Sequence, residues 1–164
     1  MSKDSKPTPI LKVCDYVYIG PASHVLTNSP EFIEKKISVI INCASEIKHT
    51  VPIKTFHYRI TDDRDATLED YGDEVAIVIN KAIENKLNLY IHSAESNSRA
   101  PALIIYWLMF HKKFFYTVET NTYDFDEEGF RFTYDNGLDF ITNLNPLVSL
   151  NNNFERELLA LEVE

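Results

Sequence analysis

The sequence predicts an α/β domain, a mostly parallel central sheet of four or five strands with helices on both faces. Three observations carry that prediction. Residues 37–43 and 87–91 are apolar runs of strand length, the kind that parallel sheets bury on both faces. Strand and helix patterns alternate along the chain, the order in which crossover units are laid down. The second run passes through a polar loop, residues 92–98, into Arg99 and the helix start Ala100-Pro101-Ala102. Proline suits a first helical turn, where its missing N–H costs nothing. A loop that ends at a helix N-terminus is a ready anion site, because orphan N–H groups and the helix dipole both favour negative charge.

In chain order, residues 1–9 form a polar, mobile tail without a signal-peptide core, and one domain follows over 10–164. Residues 10–14 and 16–19 read as short strands closed by the turn Gly20-Pro21. Ser29-Pro30-Glu31 opens a short helix, with Ser29 as N-cap and Pro30 in the first position. Residues 55–60 alternate as the next strand, and 61–66 form a charged loop. Thr67-Leu68-Glu69-Asp70 reads as a capping box for a helix whose face carries Tyr71, Val75, Val78, Ile79, Ala82 and Ile83. Asn85-Lys86 ends it. After the apolar helix through 110, residues 114–125 are aromatic and β-branched, 126–129 are a turn, and 130–134 alternate. This predicts a β-hairpin within about 117–135. Asn136-Gly137 then leads into a helix over 138–144, stopped before Pro146. Asn153 caps a last helix with Phe154, Leu158 and Leu161 on one face.

Composition narrows the function classes. The 164 residues suffice for one domain with a core, and 45% hydrophobic content marks a globular chain. No apolar run approaches the roughly 20 residues of a membrane span. A net charge of −9 argues against nucleic-acid binding and against anionic membrane surfaces. Cys14 and Cys43 lie in apolar strand patterns and read as reduced core thiols, which points to the cytoplasm or nucleus. No metal-ligand cluster accompanies them.

The segment His92-Ser93-Ala94-Glu95-Ser96-Asn97-Ser98-Arg99 resembles the HCxxxxxR signature of cysteine-dependent protein tyrosine phosphatases, and the short chain points to their dual-specificity branch. The opening strand that ends in Gly20 and the closing segment 145–154 fit the same pattern. The resemblance implies a phosphatase-like three-layer domain that works without metal or cofactor. It implies a phosphate cradle over residues 93–99, with the nucleophile at position 93 and a fork on phosphate oxygens from Arg99. It implies the general acid at Asp62, with Asp63 beside it, and a structural hydrogen-bonding role for His92.

Several positions depart from the family pattern. Ser93 stands where the family has its thiolate cysteine, and a hydroxyl needs an adjacent base to act as nucleophile. Strand alternation turns His92 away from Ser93. Ser96 stands at a glycine position, Ala100 where a hydroxyl assists breakdown of the phosphoenzyme, and Glu95 in place of a small residue. Glu95 could oppose a phosphate, point to solvent, or pair with Arg99 four residues on. The arginines and second proline of the closing segment are lost, and residues 117–135 form an insertion. The resulting reading is a pseudophosphatase comparable to STYX-type members, acting by contact with a protein partner. Whether it retains phosphoresidue binding, binds a phosphoprotein, or pairs as a homodimer through the hairpin stays open. The alternative is an active dual-specificity phosphatase carrying a Cys-to-Ser trap at position 93.

Overall fold

The structure, a computed structural model, describes residues 8–63, 67–110 and 132–163. Its elements are β1 (Leu11–Cys14), β2 (Val17–Ile19), α1 (Ser23–Leu26), α2 (Pro30–Glu34), β3 (Val39–Asn42), β4 (Lys54–His57), α3 (Gly72–Glu84), β5 (Leu89–His92), α4 (Arg99–Phe110), α5 (Tyr134–Leu144) and α6 (Asn152–Glu162). The five strands form one sheet in the order β1-β2-β5-β3-β4. Only β1 and β2 pair antiparallel; β2 with β5, β5 with β3, and β3 with β4 are parallel. The expected mostly parallel α/β sheet is therefore the one found.

Period-two alternation divides the core between the two faces of the sheet. Val17, Ile19, Val39, Ile41, Leu89 and Ile91 pack in the larger cluster with α3, α4, α5 and α6. Ile40 and Tyr90 turn to the other face and meet Val25 of α1 and Phe32 of α2. The Tyr90 and Phe32 rings meet edge to face with centroids 5.4 Å apart. Helix α4 is apolar all round because its neighbours surround it: residues 99–109 are all buried. Its two largest polar tips are satisfied, Trp107 Nε1 donating to Asn80 Oδ1 at 2.8 Å and the Tyr106 hydroxyl to Asp73 Oδ1 at 2.7 Å.

Several local expectations are corrected. Helix α1 was not anticipated; it has no side-chain cap and only four residues. Strand β4 stops at His57 rather than 60. Thr67 does not cap α3, whose N-cap Tyr71 makes no side-chain hydrogen bond. The carboxylate of Glu157 on α6 instead accepts the N–H groups of Leu68 at 2.9 Å and Glu69 at 2.6 Å. Asn151, not Asn153, caps α6, accepting from Asn153 N–H at 2.7 Å. The predicted hairpin falls mostly on residues 111–131, outside the described residues. Its expected final strand does not form at Thr133 and Tyr134: Thr133 makes a reciprocal capping box with Asn136, and α5 begins at Tyr134. Of the tail, Thr8 is held by its carbonyl, which receives His24 Nε2 at 2.8 Å.

Candidate functional site

Strands β5 and β3 are parallel neighbours, so the loops that leave their C-terminal ends lie side by side. After β5 the chain bends through Ser93–Ser98 and enters α4 at Arg99. The bend depends on Ser96, which adopts a left-handed φ of 64°. Its hydroxyl accepts the Ser93 N–H at 2.9 Å and donates to the Gly20 carbonyl after β2. The neighbouring Ala94 carbonyl accepts the Ala22 N–H at 2.9 Å. A Cβ on Gly20 would collide with the Tyr90 hydroxyl, which explains the glycine there. Among the described residues, the N–H groups of Ala94, Glu95, Asn97 and Ser98 have no acceptor, so a run of donors adjoins the α4 N-terminus.

Arg99 is buried and held by its guanidinium. Nη1 and Nη2 donate to the two oxygens of Glu46, at 2.7 and 2.6 Å, and Nη1 also donates to the Ile60 carbonyl at 2.9 Å. The Arg99 hydrogen bonds pull the Glu46 carboxyl down to about 2, and the same pair raises Arg99. The pairing of Arg99 with Glu95 does not form; Glu95 is exposed. Two Nη1 hydrogens and one Nη2 hydrogen are thus engaged. The Nε–H and a second Nη2–H, which share the other edge of the fork, have no partner among the described residues.

His92 is fully buried. Its Nδ1 donates to the Ser93 carbonyl at 3.0 Å, and its Nε2 meets His49 Nε2 at 3.3 Å. Burial pushes its pKa down to about 4, so the ring is neutral at pH 7. Neither nitrogen bonds the Ser93 hydroxyl, as alternation predicts. Asp62 is exposed and next to the loop: Oδ1 accepts from the Ser98 hydroxyl at 3.1 Å and from Asn151 Nδ2 at 3.2 Å. Asn151 also donates its own N–H to Ser98 Oγ at 2.9 Å and its Nδ2 to the Asp63 carbonyl at 2.9 Å. Asn97 is tied to the α5–α6 connection through Ser149 N–H and Asn145 Nδ2.

Residues 92–99 and Asp62 are therefore brought together, and the loop before α3 meets the loop before α4. Glu46, Asn151 and the Ser96 bridge were missed in the sequence. One signal for Glu46 was present: it follows a parallel strand on the side where such sheets collect their site loops. No group of three or more potential metal ligands occurs among the described residues. No helix among them is long and apolar enough to cross a membrane.

Comparison with known proteins gives this arrangement its family. The family model for the dual specificity phosphatase catalytic domain matches residues 17–125. The chain belongs to the dual-specificity phosphatase family. It is 27% identical over 116 residues to dual specificity protein phosphatase OPG106 of vaccinia virus, a match covering 69% of this chain and 66% of that relative, just under two thirds. Human DUSP28 shares the fold, with a TM-score of 0.76 at 14% identity, covering 96% of this chain and 95% of the other. The human tyrosine phosphatase-like serine/threonine/tyrosine-interacting protein superposes with a TM-score of 0.73 at 15% identity, covering 94% and 96%.

Proposed function

We propose that this chain is a catalytically silent member of its family, a phosphatase-fold module that binds a protein partner and retains an anion-binding loop for a phosphorylated residue. The observation that carries the proposal is Ser93 at the nucleophile position with no base on its hydroxyl. His92 spends its one N–H on the Ser93 carbonyl and is neutral, with its other nitrogen at His49. A hydroxyl in that setting is far from a thiolate, which is already substantially formed near neutrality in activating surroundings. Loss of a hydroxyl at Ala100 removes a group serving the same covalent intermediate.

Retention of binding rests on the loop donors and on the free edge of Arg99. Glu46 orients the guanidinium without occupying both edges, so two parallel N–H groups can still meet two phosphate oxygens. In this reading Asp62 sits at the general-acid position with no leaving group to protonate. The active-enzyme alternative draws on that same retained pair, Arg99 and Asp62, and requires a cysteine at codon 93 of the natural gene.

The test measures both turnover and binding. The purified chain should give no turnover of para-nitrophenyl phosphate or of phosphotyrosine and phosphothreonine peptides. It should bind a phosphopeptide more tightly than its unphosphorylated form, and Arg99→Lys should remove that difference. Turnover by the Ser93 chain, or a natural cysteine codon, ends the proposal of a silent module; equal binding of both peptide forms ends the retained phosphate site.

A further inference from the structure

At the opposite end of the sheet from the Ser93 loop lies a groove of about 250 Å³ between β4 and α3. Its walls are Val39, Phe56, Ile77, Val78, Ala82 and Leu87. Val39 and Lys54 begin their strands and Leu87 precedes β5, which places the groove at the strands' N-terminal ends. Ile77 and Leu87 are exposed large apolar residues, 49% and 39% accessible, and both face this one depression.

Alongside the groove runs the edge of the sheet. Strand β4 is last in the strand order, and β3 is its one partner among the described residues. Tyr58 N–H donates to Asn42 O at 2.8 Å. In a parallel ladder both backbone groups of a residue face the same neighbour and successive residues alternate. Phe56 therefore also faces β3, and Thr55 and His57 turn their N–H and C=O groups outward. Unpaired strand edges next to apolar pockets are where extended segments add as new strands.

Charge selects among such segments. The chain carries a net charge of −9, yet the groove is bordered by Lys54 and Lys81, and no acidic residue among the described ones lines it. Lys54 Nζ lies 5.3 Å from the Phe56 ring centroid, at the groove wall. Neither lysine is in an ion pair among the described residues.

We propose that the β4 edge and this groove together form a docking site for an extended segment of a partner protein that carries apolar side chains and aspartate or glutamate two positions apart, on one face. Strand geometry sends every second side chain to one face, and Lys54 shares that face with Phe56, so the apolar and acidic side chains of one face enter the groove beneath α3 together. Added main-chain hydrogen bonds fall on Thr55 and His57, and acidic side chains reach Lys54 and Lys81. The site is independent of the Ser93 loop and of its phosphate chemistry.

A displayed library of random dodecapeptides, selected on the full chain, tests this. Enriched peptides should place apolar and acidic residues two positions apart. They should bind Ile77→Glu at least ten-fold more weakly, while Arg99→Lys leaves their affinity unchanged. The double variant Lys54→Glu/Lys81→Glu should exchange its preference to peptides with apolar and basic residues two positions apart. Peptide binding should slow amide exchange at Thr55 and His57. Ile77 is exposed, so its variant should keep the parent's melting temperature to within a few degrees, which separates lost binding from lost folding. Selection that yields no binder, peptides without that two-residue spacing, or equal affinity for Ile77→Glu overturns the proposal. So does a parent dimer that Ile77→Glu dissolves, which would assign the groove to a second copy of this chain.

Discussion

Position 93 shows how one atom separates two chemistries on the same backbone. Oxygen for sulfur leaves the loop geometry available and removes the easily ionised nucleophile. Ser93→Cys should therefore restore chemistry only in part. Its expected signature is a burst of para-nitrophenol followed by slow turnover, because Ala100 offers no hydroxyl to the second step; stopped-flow absorbance at 405 nm separates the phases. Turnover without a burst and at a rate typical of enzymes, on the order of 10 s⁻¹, would show that Ala100 and Glu95 cost little. Acid stability follows from two other residues. His92 is depressed from 6.5 to about 4, so the unfolded chain binds a proton that the folded chain refuses in that window, and stability falls as pH drops from 6.5 towards 4. The Glu46 carboxyl is depressed from 4.5 to about 2 by Arg99, so its contribution is present above 4.5 and is lost as pH falls towards 2. Half of the Glu46 side chain is exposed, which keeps that contribution near the ~1 kcal/mol ceiling of solvent-screened pairs. Urea titrations from pH 7 to pH 3 should show the His92 loss first, and Glu46→Gln should flatten only the lower window. The signature spacing made Ser93 and Arg99 legible in the sequence. Glu46 was not, since it stands 53 residues from Arg99 and the parallel pairing of β3 with β5 alone joins them.

At the scale of elements, strands and long helices were readable because period and burial agree. Residues 89–92 and 39–42 are buried without interruption, as their apolar runs require. The failures share a physical cause: ends of elements satisfied by distant side chains. The turn before α3 has its N–H groups capped by Glu157, 89 residues from Leu68, so the local Thr67 pattern misled. Tyr134 N–H at the start of α5 likewise donates to Glu162. Glu157→Gln should weaken the cap while keeping its shape, with a loss within the ~0.5–2 kcal/mol range of helix caps. Glu157→Ala should cost more than Glu157→Gln, and chemical denaturation measures both. In α4 the decisive residue is Trp107, which is fully buried and hydrogen-bonded to Asn80. Trp107→Ala should cost about 3–5 kcal/mol, and Trp107→Phe less, since it keeps a large buried ring and loses the indole N–H donated to Asn80.

For the whole molecule, α6 works as a strap over elements that are far apart in sequence. Phe154 and Leu158 anchor it, each with no accessible surface. From that anchor Glu157 holds the turn before α3, Glu162 meets the start of α5, and Asn151 at its N-cap binds both Asp62 and Ser98. The strap therefore couples core packing to the geometry of the candidate site. Burying two such side chains contributes about 3–6 kcal/mol, a large share of the 5–15 kcal/mol typical of a domain. Two variants separate the two functions of the strap. Phe154→Ala removes anchorage and should lower global stability by several kcal/mol. Asn151→Ala removes the site link and leaves the anchor in place. It should leave the denaturation midpoint nearly unchanged, within about 1–2 kcal/mol for a lost cap. Yet it should raise amide exchange and proteolytic cleavage in the loop around Asp62, which loses the Asn151 hydrogen bonds to Asp62 and to the Asp63 carbonyl. If Asn151→Ala protects that loop as well as the parent does, then Asp62 is placed by its own loop rather than by α6, and the strap acts on stability alone.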